Sequence, residues 1–153
     1  MLIFPVCSVF FFDCFGENTD AQGLRKWEYC CMEKLKLQDL AVRFSRNILV
    51  VCHELEQVKL QTIARQLIRC GTAVGALTAE ASEAESADDF IHKMKIALKE
   101  AKESMYWLDI IKGKVSSHQV LVDDLVSIQK IITRSIQTAR QNRDLKKKDK
   151  PLQ

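Results

Sequence analysis

The sequence predicts an all-α fold, an up-down-up-down four-helix bundle. Three observations carry that expectation. Apolar residues recur at three- and four-residue steps in four separate stretches, the mark of one buried helix face. The chain has only 5 glycines and 2 prolines in 153 residues, too few for a turn-rich β fold. Breaks near Gln57, Ser82–Glu85 and Gly113 divide the stretches, which favours helices that fold back over one long coiled-coil dimer. The length suits one domain, and an apolar fraction of 47% argues against wholesale disorder.

The first helix is expected over about Leu35 to Leu55. Its seam is Leu37, Ala41, Phe44, Ile48, Val51 and Leu55. The second runs from about Val58 to Ala81, with Leu60, Ile63, Leu67, Cys70, Val74, Leu77 and Ala81 on its seam. Gly71 and Gly75 lie beside that seam. Glycine inside a helix costs about 1 kcal/mol relative to alanine, so the compensation expected is close approach of a neighbouring helix. In the third helix, Ser86 with Asp89 three residues on reads as an N-cap, and Asp88 complements the helix dipole. This helix extends to about Lys112, with Phe90, Met94, Ala97, Ala101, Ser104, Leu108 and Ile111 inward. Gly113 fits the position just past its end. The fourth starts near Ser116 or Ser117 and runs to about Arg140, with Leu121, Leu125, Ile128, Ile132, Ser135 and Ala139 inward.

The ends differ from the middle. Residues 1–31 open with "MLIFPVCSVFFF", about 12 apolar residues, too short for a membrane-spanning helix. No basic residue precedes Arg25 and no small-residue cleavage pattern follows, so a secretory signal does not fit. The expectation is that the functional chain starts at Met32 and that the leader is an over-extended start; a membrane-associating leader is the alternative. Residues 32–145 then form the bundle, and 146–153 a basic disordered tail.

Candidate chemistry is sparse. The six cysteines show no C-x-x-C, and Cys52 and Cys70 read as small core residues of a reducing cytoplasm. A di-iron bundle needs two Glu-x-x-His copies, and only the loose relative Asp89-x-x-His92 is present. His53, His92 and His118 have no nucleophile at a persuasive spacing, and Ser82, Ser86, Ser116 and Ser117 are explained by caps and turns. No enzyme, metal, cofactor or small-molecule substrate is expected, and no membrane partner.

Two faces of the third helix remain after its seam. Lys95, Lys99, Lys102 and Tyr106 form one, which Arg65 and Arg69 of the second helix extend. A lysine row of this kind is most often solvated surface, with Lys99 and Glu103 placed to pair four residues apart. Its functional reading is a track for phosphates. From Met32 onward basic residues outnumber acidic ones by five, and an oligomer multiplies that field. Ile96, Glu100, Glu103, Trp107 and Ile110 form the other face. It is expected to be a subunit interface with Trp107 as anchor, Glu100 and Glu103 requiring basic partners from the next chain or a place at the rim. Alternatively, Trp107 folds over the edge of its own bundle.

The run "RQLIRCGTAVGALTAEASEAESADDFIHKMKIALKEAKESMYWLDII" closely resembles the 23S rRNA-intervening-sequence protein family, whose members carry "SGTSVGAN-EA" followed by "AES-DFIHK-IALKEA-E--YWL". The resemblance spans about residues 34–140 and is densest over 65–111. It implies a bacterial cytoplasmic four-helix bundle that assembles as a ring-like homo-oligomer, commonly a pentamer, with no known enzymatic activity. It further implies a link to RNA and, through the similar accessory proteins of diversity-generating retroelements, to nucleic acid and a polymerase. The chain departs from the pattern at Leu77, where the family usually has asparagine. The expected function is a non-enzymatic oligomer that binds RNA or DNA through basic faces. The alternative is a protein adaptor, for example for a polymerase or reverse transcriptase, without nucleic-acid contact.

Overall fold

The computed structural model describes the backbone of residues 26–148 and the side chains of residues 36–145. The leader up to residue 25 and residues 149–153 of the tail lie outside the described residues. Four helices account for the described chain: α1 (Lys26–Gln57), α2 (Gln61–Ser82), α3 (Ala87–Ile110) and α4 (His118–Lys148). No strand occurs among the described residues. α2 packs on α1 and α3, and α4 packs on α3 and α1. No described helix is long and apolar enough to cross a membrane.

Each turn has a local cause. After α1, the Lys59 N–H donates to the Glu56 carbonyl and the Leu60 N–H to the Leu55 carbonyl. That pair of bonds is a Schellman ending, with Lys59 at φ 62° in the left-handed position where glycine is usual. α2 therefore begins at Gln61, three residues later than its apolar pattern suggests. At the start of α3 the Ser86 hydroxyl accepts from the Asp89 N–H at 3.0 Å, as a cap should. Asp89 in turn accepts from the Glu85 N–H at 3.2 Å. Gly113 sits at φ 75° after α3, the backbone its position required. The Ser117 carbonyl accepts from the Leu121 N–H to open α4, while Ser116 donates from its N–H and hydroxyl to Glu54 near the end of α1. His118 completes this corner by donating from Nε2 to the Leu108 carbonyl at 2.9 Å.

The core follows the expected α1 seam, with Leu37, Ala41, Phe44, Ile48, Val51 and Leu55 all buried. On α2 the seam is rotated. Ala64, Gly71 and Thr78 are buried beside Leu67, Cys70, Val74 and Ala81, while Leu60, Ile63 and Leu77 are only half-buried. The glycine explains the rotation: a Cβ on Gly71 would run into the Ile48 side chain, so α1 and α2 approach along the small residues. Larger neighbours are left to flank the contact. Thr78 satisfies its buried hydroxyl by donating to the Gly75 carbonyl at 2.9 Å. On α3 the expected residues are buried except Phe90, which is half-buried while Ile91 takes the inward place. On α4 Ile136 is buried where Ser135 and Ala139 were expected to turn inward, and both of those are half-buried.

Two helix ends also differ from expectation. α1 begins at Lys26, ahead of Leu35, and α4 continues past Arg140 to Lys148. Residues 141–148 are rich in lysine, arginine, glutamine and leucine, which are good helix formers, so the existing α4 propagates through them.

Among the described residues, α4 carries one buried charge. The Asp124 side chain is 7% exposed and accepts two bonds from the Arg43 guanidinium of α1, Nε at 3.2 Å being one of them. Asp124 raises the Arg43 pKa above its ordinary value, first through the hydrogen bond and then through its charge. Arg43 itself is largely exposed, so its loss would strand the carboxylate, whereas loss of Asp124 would leave a guanidinium free to hydrate.

Candidate nucleic-acid interface on the third helix

The outward side of α3 is a single row. His92, Lys95, Lys99, Lys102 and Tyr106 are all exposed, and they recur at the three- and four-residue steps that keep side chains on one face. From His92 to Tyr106 the row is about 21 Å long at 1.5 Å per residue. It lies on the side of the helix opposite Met94, Ala97, Ala101, Ser104 and Leu108, which face the core. No acidic residue falls in the row between Asp89 and Asp109. The two glutamates of this stretch, Glu100 and Glu103, turn toward α2.

Arg69 explains that turn. Its guanidinium from α2 pairs with Glu103 and reaches Glu100 at 3.9 Å. Glu103 is thus taken by Arg69 and not by Lys99, because a planar fork on the facing helix offers a better partner than a flexible lysine on the same helix. The consequence is electrostatic. Lys95, Lys99 and Lys102 keep their charge in the open, while Arg69 is neutralised within the fold. Arg65 is exposed near the N-terminal end of α2 and donates to the Gln61 carbonyl at 3.4 Å. Other cations are also committed: Lys93 to Asp89, and Arg143 to Asp88 and Asp144. The bond from Lys93 holds the Asp89 carboxyl below the ordinary aspartate range.

Tyr106 closes the row at its C-terminal end. The side chain is 60% exposed, and its ring meets Trp107 edge-on, centroids 5.2 Å apart at 70°. Trp107 is half-buried and packs against the bundle's own core, as does Met105 on the other side. The Trp107 Nε1 and Glu100 Oε2 atoms are buried without a hydrogen-bond partner.

Part of the second face of α3 is engaged within the chain itself. Ile96 and Trp107 are half-buried, Ile110 is 45% exposed, and the basic partner that Glu100 and Glu103 require is Arg69 of the same chain. That pairing joins residues 34 apart, which no local pattern announces. The Arg43–Asp124 pair, 81 residues apart, was equally hidden; the only signal for it was an acid on the inward half of α4.

Cys52 and Cys70 are free and buried. Each donates to a helix carbonyl, Cys52 to Ala64 at 3.4 Å and Cys70 to Leu67 at 3.6 Å. Burial pushes the Cys52 thiol up to about 11 and raises that of Cys70. Both are held as unreactive thiols at neutral pH. Among the described residues, no three His, Cys, Asp or Glu side chains gather as a metal ion would require.

The bundle can be compared with known proteins. No match to a curated protein was found. A solved structure from Bacteroides thetaiotaomicron, described as a protein of unknown function from the S23 ribosomal protein family, matches at 30% identity and a TM-score of 0.65. The match covers 69% of this chain and 98% of that one. The family model for 23S rRNA-intervening sequence proteins matches residues 33–137, which takes in α2, α3, most of α1 and more than half of α4. With the matching run reaching all four helices, the chain belongs to the 23S rRNA-intervening sequence protein family.

Proposed function

We propose that the protein is a non-enzymatic cytoplasmic scaffold, an up-down-up-down bundle that assembles into a ring-like homo-oligomer and binds nucleic acid through α3. One observation carries the reading: the Lys95–Lys99–Lys102 row is exposed, is free of acids and is spared neutralisation by Arg69. Phosphates laid along such a row displace counterions, and that release supplies sequence-independent affinity. The family's name refers to 23S rRNA and the Bacteroides neighbour's family is named for a ribosomal protein, which supports RNA ahead of DNA. A salt titration of RNA and DNA binding by the parent and by a Lys95→Gln/Lys99→Gln/Lys102→Gln variant tests it. The parent binds with an affinity that falls steeply with salt, and the variant binds weakly. No binding by the parent at tens of micromolar protein would remove the reading.

Self-association belongs to the same proposal, with a pentamer as the expected ring. Ile110 is the most exposed apolar residue of the second α3 face, so it is the position at which contact with a second copy is cleanest to test. Ile110→Asp lowers the mass seen by light scattering while helicity by circular dichroism persists. An unchanged mass, or a monomeric parent, argues against this face. Ile96 and Trp107 are poorer probes because they also pack within the chain.

A second reading, an adaptor for a polymerase-type protein, draws on a different surface. Val42, Leu49 and Val50 are exposed along the outside of α1, where three aliphatic side chains within nine residues suit contact with another protein. It takes first place if the nucleic-acid titration fails.

A further inference from the structure

Resting on the reading of α3 as a nucleic-acid interface, we infer that the row is built for single-stranded nucleic acid, with a base stacked on Tyr106. The row is straight, about 21 Å long and one side chain wide. A B-form duplex strand completes a turn in about 34–36 Å, so over this length it winds through more than half a turn and leaves the line of lysines. A flexible single strand can stay on the line. The row also stands on the outward crest of a helix whose flanks pack on α2 and α4, which leaves no second basic ridge beside it on α3 to meet the other strand. Glu100 and Glu103 border it on the α2 side.

The aromatic end makes the same distinction. Tyr106 offers an exposed ring at the end of the lysine row, steadied from the side by Trp107. Bases inside a duplex are already stacked on each other and cannot reach it, whereas an unpaired base can. Lysine contacts to the backbone and one stacked base together are the pattern of sequence-tolerant single-strand binders. Charge density by itself favours the opposite outcome, since a duplex carries one negative charge per about 1.7 Å. A preference for single strands would therefore come from shape and stacking.

The test uses the full chain and two fluorescein-labelled probes, an oligouridylate of roughly 12 nucleotides and an RNA duplex of the same length, read by anisotropy at one low salt concentration. The single strand binds more tightly than the duplex. Tyr106→Ala weakens the single strand by about 5- to 150-fold, the effect of losing one stacked base, and leaves the duplex unchanged. Tyr106→Phe keeps the ring and the parental affinity. Equal or tighter binding of the duplex, or an unchanged single-strand affinity in Tyr106→Ala, overturns the inference. In that case the Lys95→Gln/Lys99→Gln/Lys102→Gln variant still separates the two levels. Loss of binding to both probes leaves the basic interface standing without the single-strand preference. Full retention of binding by that variant overturns the interface and the inference together.

Discussion

Phe44→Ala should lower the unfolding free energy by about 3–5 kcal/mol. Phe44 has no exposed surface and lies on the α1 seam, within the cluster to which all four helices contribute. Removing the ring forfeits its transfer from water and opens a cavity. Its neighbours cannot close that space easily, because α1 is held to α2 by the small-residue contact and to α4 by Arg43 and Asp124. A domain of this size is stable by only about 5–15 kcal/mol, so the change is a large share of the whole. Urea unfolding checks it: the midpoint falls while the slope with denaturant stays near the parental value. A loss below about 1 kcal/mol would mean that the ring is not central to the packing.

Gly71 and Gly75 should respond in opposite ways to added side chains. At Gly71 a Cβ would overlap the tip of Ile48, and Ile48 is itself fully buried. Gly71→Val adds two further methyl groups at the α1–α2 contact and costs about 1–3 kcal/mol through overpacking. Shortening Ile48 to alanine in the same chain should recover part of that loss, so the double variant is more stable than the two single changes predict. At Gly75 a Cβ would rest in ordinary contact, 3.5 Å from the Ser45 hydroxyl and 3.8 Å from the Ala41 Cβ. Gly75→Ala then gains helix propensity, up to about 1 kcal/mol, without a clash. The two glycines look alike in sequence, and only one is required by the approach of α1. Equal effects at both positions would contradict the packing described.

Much of the fold was legible because burial and periodicity agree. α1 shows it best: aliphatic residues and Phe44 hold the three- and four-residue steps, and all six predicted residues are buried. The seam of α2 misled because side-chain size and depth part company where helices come closest. There Ala64, Gly71 and Thr78 lie deeper than Ile63 and Leu77. Helix length misled for the converse reason, since the C-terminal part of α4 is rich in good helix formers and its sequence shows no apolar stripe to count. The lysine row was legible from residue steps within one helix. The state of its neighbours was not, because the pairing of Arg69 with Glu103 and of Arg43 with Asp124 depends on which helices meet. Those distant pairs decide which charges stay free, and so they shape the surface more than the local pattern does.

The slope of log affinity against log salt tests the basic interface most directly. On a single strand each neutralised phosphate contributes about 0.7 to that slope. If Lys95, Lys99 and Lys102 each meet a phosphate, the Lys95→Gln/Lys99→Gln/Lys102→Gln variant binds the oligouridylate more weakly at low salt, and its slope is shallower than the parent's by about 2. Parallel lines for parent and variant, at equal affinity, would contradict the assignment of phosphate binding to α3.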